Sequence, residues 1–236
     1  GEFVFDQAFA RLAGDLGLQY YPKLLGMSPV SPVVGYRFYY SPEEDEIKLT
    51  NLMMEIIDAF AKQLGIISCN FLYVDPCWKS LAEAAGCAAW VNQQSLWNAN
   101  DQKNFSDYLS NFKANQRRNI KRERNTIKAA GLKVSAFTGE ELNIHSLMQM
   151  YVFYEQHCAK WGVWGSKYLS EQFFEALASP KYNSQIILFN AHRDDPNNPV
   201  AMSLCVTKRD MLWGRYWGSK EEINHLHFEL CYYSPI

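Results

Sequence analysis

An α/β (α+β) fold with mixed, largely antiparallel sheets is what this sequence predicts. Three observations lead there. Apolar residues recur at helical spacing in several segments, and short apolar and aromatic runs bounded by turn residues lie between them. Two of those runs, 186–191 and 200–207, flank Arg193-Asp194-Asp195-Pro196-Asn197-Asn198, a connection with strong turn chemistry. The second half therefore reads helix, strand, helix, helix, meander, an order that implies a sheet paired mainly antiparallel.

The chain has 236 residues, 48% hydrophobic and 20% charged, which is a folding composition rather than a disordered one. At roughly 150 residues per domain this is one large domain or two small ones. No stretch approaches the ~20 apolar residues of a membrane span. The opening residues lack the basic region of a signal peptide. Gly1 leads directly into an aromatic segment, and 226–236 is dense in apolar groups without a stop signal, so a fragment truncated at both ends is expected. The six cysteines form no C-x-x-C pair and sit among apolar neighbours, which points to buried free thiols and a reducing, cytoplasmic setting.

The elements follow in order. Residues 5–16 read as a helix ended by Gly17, 21–27 as extended, and 28–32 as a loop. Apolar positions 49, 52, 53, 56, 57, 60 and 64 mark a helix over 47–64, stopped by Gly65. A buried strand over 68–74 is closed by Asp75-Pro76, a short helix covers 78–85, and 88–96 is extended. Asn98-Ala99-Asn100-Asp101-Gln102 is the most polar stretch and the best boundary, dividing the chain into 1–102 and 103–236. Beyond it a long helix is predicted over 107–130, with Ser106 as N-cap and Gly131 as the stop. A strand over 133–137, helices over 140–161 and 170–178, the paired runs already named and a third strand over 211–217 complete the domain. The closing residues 226–236 are expected to be helical.

Charge is unevenly placed. The net charge is −2, yet 113–128 carries seven basic side chains against one acid. At 100° per residue, Lys113, Arg117, Lys121, Arg124 and Lys128 fall within about 80°, beside an apolar stripe of Leu109, Phe112, Ile120 and Ile127. Arg118 and Arg122 extend the basic surface. Such a face is either solvated or an anion site, for phosphates would relieve the mutual repulsion of the cations. Glu123 lies on the core side of the helix without a local cation, so a basic or hydroxyl partner from another element is expected.

Two further patches carry candidate chemistry. In Leu212-Trp213-Gly214-Arg215-Tyr216-Trp217-Gly218, strand alternation puts Trp213, Arg215 and Trp217 on one face and Tyr216 with the glycines on the other. Arg215 then reads as a cation stacked between indoles or as a ligand clamp. In His225-x-His227-x-Glu229 a strand would align three metal-ligating types, whereas a helix turns the two histidines apart and sets Glu229 beside Tyr232 and Tyr233. The helical reading is preferred, and no metal is expected. Phosphate-loop, dinucleotide-fingerprint and nucleophile-elbow motifs are absent.

The segments Gly1-Glu2-Phe3-Val4-Phe5-Asp6, Tyr20-Tyr21-Pro22-Lys23-Leu24, Arg117-Arg118-Asn119-Ile120-Lys121-Arg122-Glu123-Arg124, Gly214-Arg215-Tyr216-Trp217-Gly218 and Leu226-His227-Phe228-Glu229-Leu230-Cys231-Tyr232-Tyr233 resemble the bacterial N-acyltransferases described as FemAB-like, for peptidoglycan biosynthesis or recognition. The resemblance runs along the whole chain. It implies tandem GNAT-like lobes, with 1–102 belonging to the first and 103–236 to the second. It also implies an acyl or aminoacyl donor, aminoacyl-tRNA or acyl-CoA, as co-substrate, with no permanently bound cofactor and an amine-bearing acceptor such as a peptidoglycan precursor. The pyrophosphate loop that would favour a CoA thioester is absent.

On this basis the residues expected to matter are Glu229 as base, with Tyr216 or Tyr232 near the leaving group, and Arg117, Arg118, Lys121 and Arg122 on donor phosphates. Arg215, Trp217 and His227 complete the substrate-binding set. The rival expectation is a non-catalytic module that recognises a cell-wall precursor or tRNA through the same surfaces.

Overall fold

The computed structural model describes residues 6–93, 95–162, 165 and 167–236. The chain forms two compact units, Gly1–Ser95 and Leu96–Ile236. All but Asp6 of the first segment of the resemblance, 1–6, lies outside the described residues, as does the expected helix start at Phe5. Gln94 of the expected 88–96 extended segment lies outside them too.

The first unit contains α1 (Gln7–Asp15), β1 (Leu24–Gly26), α2 (Glu46–Gln63), β2 (Cys69–Phe71) and α3 (Pro76–Ala84). Strands β1 and β2 pair in parallel, Leu24 opposite Cys69 and Gly26 opposite Phe71. Asp45 caps α2 by accepting from the Lys48 N–H (3.0 Å), and Asp75 caps α3 by accepting from the Cys77 N–H (2.8 Å). Trp78 is buried against the rings of Tyr36, Phe38 and Phe71, and its indole N–H donates to Thr50 Oγ1 at 3.2 Å. Buried Asp6 takes an ion pair from Lys23 (2.8 Å) and a hydrogen bond from the Tyr21 hydroxyl (2.9 Å). The strand expected over 68–74 shrinks to three residues, because Tyr73 adopts a left-handed backbone (φ 54°) and Asp75 already begins the cap of α3. No strand forms in the described part of 88–96. Trp90 and Val91 are exposed there, and Trp90 meets Phe9 edge to face.

In the second unit the long helix predicted over 107–130 is two helices, α4 (Phe105–Ser110) and α5 (Ala114–Ala129). Asn104 caps α4, its side chain accepting from the N–H groups of Ser106 and Asp107. The break has a local cause. The Ser110 hydroxyl and the Asn111 amide both donate to the Asp107 carbonyl, competing with the backbone for helix continuation. Lys113 is therefore the N-cap of α5 and stands outside the helix to which periodicity assigns its charge.

Strands β3 (Lys133–Thr138), β4 (Ile186–His192), β5 (Ala201–Lys208) and β6 (Met211–Ser219) form an antiparallel sheet in that order. Helices α6 (Ile144–Lys160), begun by Asn143, and α7 (Glu171–Leu177) cover one face. Leu147, Met150, Phe153 and Phe174 pack there on Ile186, Leu188, Met202 and Leu204. The opposite face packs Phe189, Ala191, Ala201 and Cys205 against Ile127 of α5 and Leu132. The helix expected over 140–161 starts later, at Ile144, after a single 3-10 turn.

A bulge at Leu204/Cys205 changes the reading of β6. Gly214 pairs with Cys205 and Tyr216 with Leu204, which leaves Arg215 as the extra residue. Trp213, opposite Val206, thus shares a face with Tyr216 and Gly218, while Trp217, opposite Ser203, takes the other. Simple alternation would join Trp213 to Trp217.

The chain then enters a short helix, α8 (Leu226–Phe228), through His225 at φ 67°, and widens into a π-turn, Glu229–Tyr233. The Ser234 N–H donates to the Glu229 carbonyl (2.8 Å), and the buried Ser203 hydroxyl of β5 donates to the Leu230 carbonyl (2.8 Å). The sheet thus supplies a donor to a carbonyl of the widened turn. Of the six free cysteines, Cys158 and Cys205 are buried as expected, whereas Cys69 and Cys77 are exposed, each near an end of a short element in the first unit.

Candidate functional site

Helix α5 has few apolar residues with which to dock. Ile120 packs with Leu109 and Tyr233, and Ile127 joins the core beneath the sheet. Anchoring those two positions turns the polar remainder outward. Arg117, Arg118, Lys121 and Arg122 line one shallow depression of about 440 Å³. Arg117 is half-buried, its Nη1 donating to the Phe112 carbonyl at 2.5 Å, and Arg118 donates to Asn115 Oδ1 at 2.7 Å. Among the described residues, none of the four forms an ion pair with a carboxylate. The structure therefore brings the expected phosphate-binding quartet together.

Arg124, which periodicity places on that face, is engaged elsewhere. Its Nε and Nη2 form a fork on Glu229, at 3.0 Å to Oε2 and 2.8 Å to Oε1, while its guanidinium stacks 4.2 Å from the centroid of Phe105. The Glu229 side chain is only 6% exposed, and Ser234 Oγ adds a third contact at 3.2 Å. One residue earlier on α5, Glu123 accepts from the Tyr233 hydroxyl at 2.5 Å, the partner from another element that its core-facing position calls for. Burial, and then that hydrogen bond, raise the Tyr233 pKa well above the ordinary phenol value. Glu229 and Tyr233 stand at the two ends of the π-turn and meet adjacent residues of α5. The sequence holds both halves of this contact, but no local rule joins residues more than 100 positions apart.

The remaining expected residues are dispersed. Tyr216 points to the α6 face of the sheet, its ring 4.8 Å from Tyr154, and burial raises its pKa. Glu229 lies on the α5 face, so the sheet separates the two and they cannot act on one reacting atom. Trp213 and Trp217 lie on opposite faces of β6, so they do not sandwich Arg215 between them. Its guanidinium lies 4.9 Å from the Tyr216 centroid, and Nη2 donates to the Tyr216 hydroxyl at 3.1 Å. Trp217, His227 and Tyr232 do come together, with the His227 ring 5.0 Å from Trp217 and 5.6 Å from Tyr232. Loss of hydration among these rings pushes the His227 pKa below its ordinary value, which leaves the imidazole neutral at pH 7. Tyr232 is half-exposed.

Between α5 and β3 a cleft of about 560 Å³ has Ile127, Val134 and Phe189 in its floor and the Arg124–Glu229 pair in its wall. Among the described residues no cluster of three metal-ligating side chains forms, and no helix is long and apolar enough to cross a membrane. The helical turn at 226–228 directs His225 and His227 differently from the strand that would have aligned them.

No match to a curated protein was found. A family model described as FemAB-like, peptidoglycan biosynthesis/recognition, matches residues 1–236. That match spans both units, and it takes in the segments that build the α5 surface and its contact with the π-turn. The chain accordingly belongs to the FemAB-like family of peptidoglycan biosynthesis and recognition.

Proposed function

We propose that this protein is an N-acyltransferase that moves an acyl or aminoacyl group from an activated donor to an amine of a peptidoglycan precursor. In this reading it acts in the cytoplasm, and its two units are parts of two GNAT-like lobes. Family membership supports the reading, and one observation carries it: four cations of α5 share an open surface and, among the described residues, meet no ion-paired carboxylate. Phosphates of the donor are the natural counter-charges. An extended polyanion suits a row along a helix better than a single carboxylate does, which favours aminoacyl-tRNA over acyl-CoA.

The chemistry asked of the protein is orientation and proton removal. The amine nitrogen bonds to the acyl carbon, the ester C–O bond breaks, and the amine proton passes to the protein while the departing ribose oxygen is protonated. Glu229 is a poor receiver for that proton, because its oxygens face the Arg124 guanidinium and the Ser234 hydroxyl. His227, neutral and beside Tyr232, is the better acceptor within this proposal. The engagement of Glu229 also favours a second reading, a binding module without turnover.

One experiment separates the two. The protein is mixed with radiolabelled aminoacyl-tRNA and a muropeptide bearing a free amine. Transfer of label supports the enzyme, and saturable binding without transfer supports the module. Binding should weaken with salt, at a slope of log K on log[salt] of about −3 to −4 for four phosphate contacts. Arg117→Ala and Lys121→Ala should each flatten it by about one unit, independently of tRNA sequence. Binding indifferent to salt would remove α5 from the donor site.

A further inference from the structure

Helical geometry sets Arg124 in line with Arg117, Lys121 and Lys128. By position it should be one more phosphate contact. The tertiary structure turns it away: a carboxylate holds two of its nitrogens, a phenyl ring covers its plane, and its side chain is only 31% exposed. That carboxylate comes from the π-turn, whose other end is fixed one residue away by Tyr233 on Glu123.

We infer that Glu229 is a positioning residue: it is the built-in counter-ion of Arg124, withdraws that cation from the anion-binding surface of α5, and with the Tyr233–Glu123 contact fixes the helix against the sheet. The inference rests on the reading of α5 as a phosphate-binding surface and adds a boundary to it. The cations that line the depression end at Arg122, just before the latch, and exposed Lys128 lies beyond it. An anion approaching Arg124 meets a site already occupied by a side chain that is itself buried and forked.

Two variants and two readouts test this. The probe is deacylated tRNA, with binding measured as a function of salt. Arg124→Gln keeps a donor for Glu229 and should leave the wild-type slope unchanged, in contrast to Arg117→Ala and Lys121→Ala. Glu229→Gln frees a cation within the row and should steepen the slope by about one unit. The second readout needs no nucleic acid. Phenylglyoxal modification, mapped by mass spectrometry, should reach Arg124 more slowly than Arg118 in the wild type and several-fold faster in Glu229→Gln, with Arg118 unaffected.

A slope flattened by a full unit in Arg124→Gln would show that Arg124 touches phosphate and would overturn the inference. Wild-type Arg124 that reacts as fast as Arg118 would overturn it as well. Should the wild type fail to bind tRNA in a salt-dependent way, the phosphate reading of α5 fails, and the modification rates still decide whether Glu229 shields Arg124. If Glu229→Gln does not fold, the slope of Arg124→Gln and the wild-type modification rates decide the matter.

Discussion

Replacing Arg124 with alanine isolates the energetic value of the latch between α5 and the π-turn. The change removes the fork on Glu229 and the stacking on Phe105, and it leaves a carboxylate, 6% exposed, with only the Ser234 hydroxyl at 3.2 Å. Breaking a buried ion pair from one side costs about 3–5 kcal/mol, mostly because the remaining charge is stranded. Arg124 is itself 31% exposed, so water reaches its position and the lower end, about 3 kcal/mol, is expected. Adding Glu229→Gln removes the stranded charge. The double variant should therefore recover roughly half of that loss, the non-additivity expected for residues in direct contact. Amide hydrogen exchange of β4 and β5 under increasing urea is the suitable assay, since it reads the second unit alone and does not require the two units to unfold together. A loss below about 1 kcal/mol for Arg124→Ala, or a double variant as unstable as the single one, would refute the reasoning.

Three further outcomes are expected. Gly218→Ala places a methyl group 2.5 Å from the Phe153 carbonyl oxygen of α6, backbone that cannot turn aside, so the second unit should lose about 1–3 kcal/mol in the same exchange assay. Burial pushes the Cys205 and Cys231 thiols up to about 12. At pH 8 iodoacetamide should therefore label exposed Cys77 first and these two only on unfolding, as peptide mass spectrometry would show. His157 and His227 have pKa values below the ordinary 6.5, chiefly through burial, so the unfolded chain binds protons before the folded one does. Stability should thus fall as pH drops through 6.5 toward their folded values, and His157→Asn should lessen that fall in urea midpoints measured across the window.

The two faces of the second sheet bear directly on mechanism. Tyr216 and Trp217, neighbours in sequence, are assigned to different chemical surroundings by the pleat. A reaction on the α5 face can use Trp217, His227 and Tyr232, whereas Tyr216 faces α6 and takes a hydrogen bond from Arg215. Any account of turnover that combines Tyr216 with Glu229 must move a strand, which the dense packing of Phe153 on Gly218 opposes.

Periodicity and turn chemistry are legible in the amino-acid order because they are local. The antiparallel meander of β4, β5 and β6, the helices stopped by Gly65 and Gly131, and the outward cations of α5 all follow from rules that operate within a few residues. The core-facing placement of Glu123 is legible for the same reason, although its partner is not. What the sequence could not show depends on contacts between distant segments or on close competition among local ones. The break between α4 and α5 turns on whether Ser110 and Asn111 or the backbone wins the Asp107 carbonyl. The bulge at Arg215 depends on the partner strand, and one extra residue there reverses the face of every residue before it. The role of Glu229 is decided in the tertiary structure, because a carboxylate is a base or an anchor according to what lies beside it. Here folding brings Arg124 across 105 positions to its two oxygens.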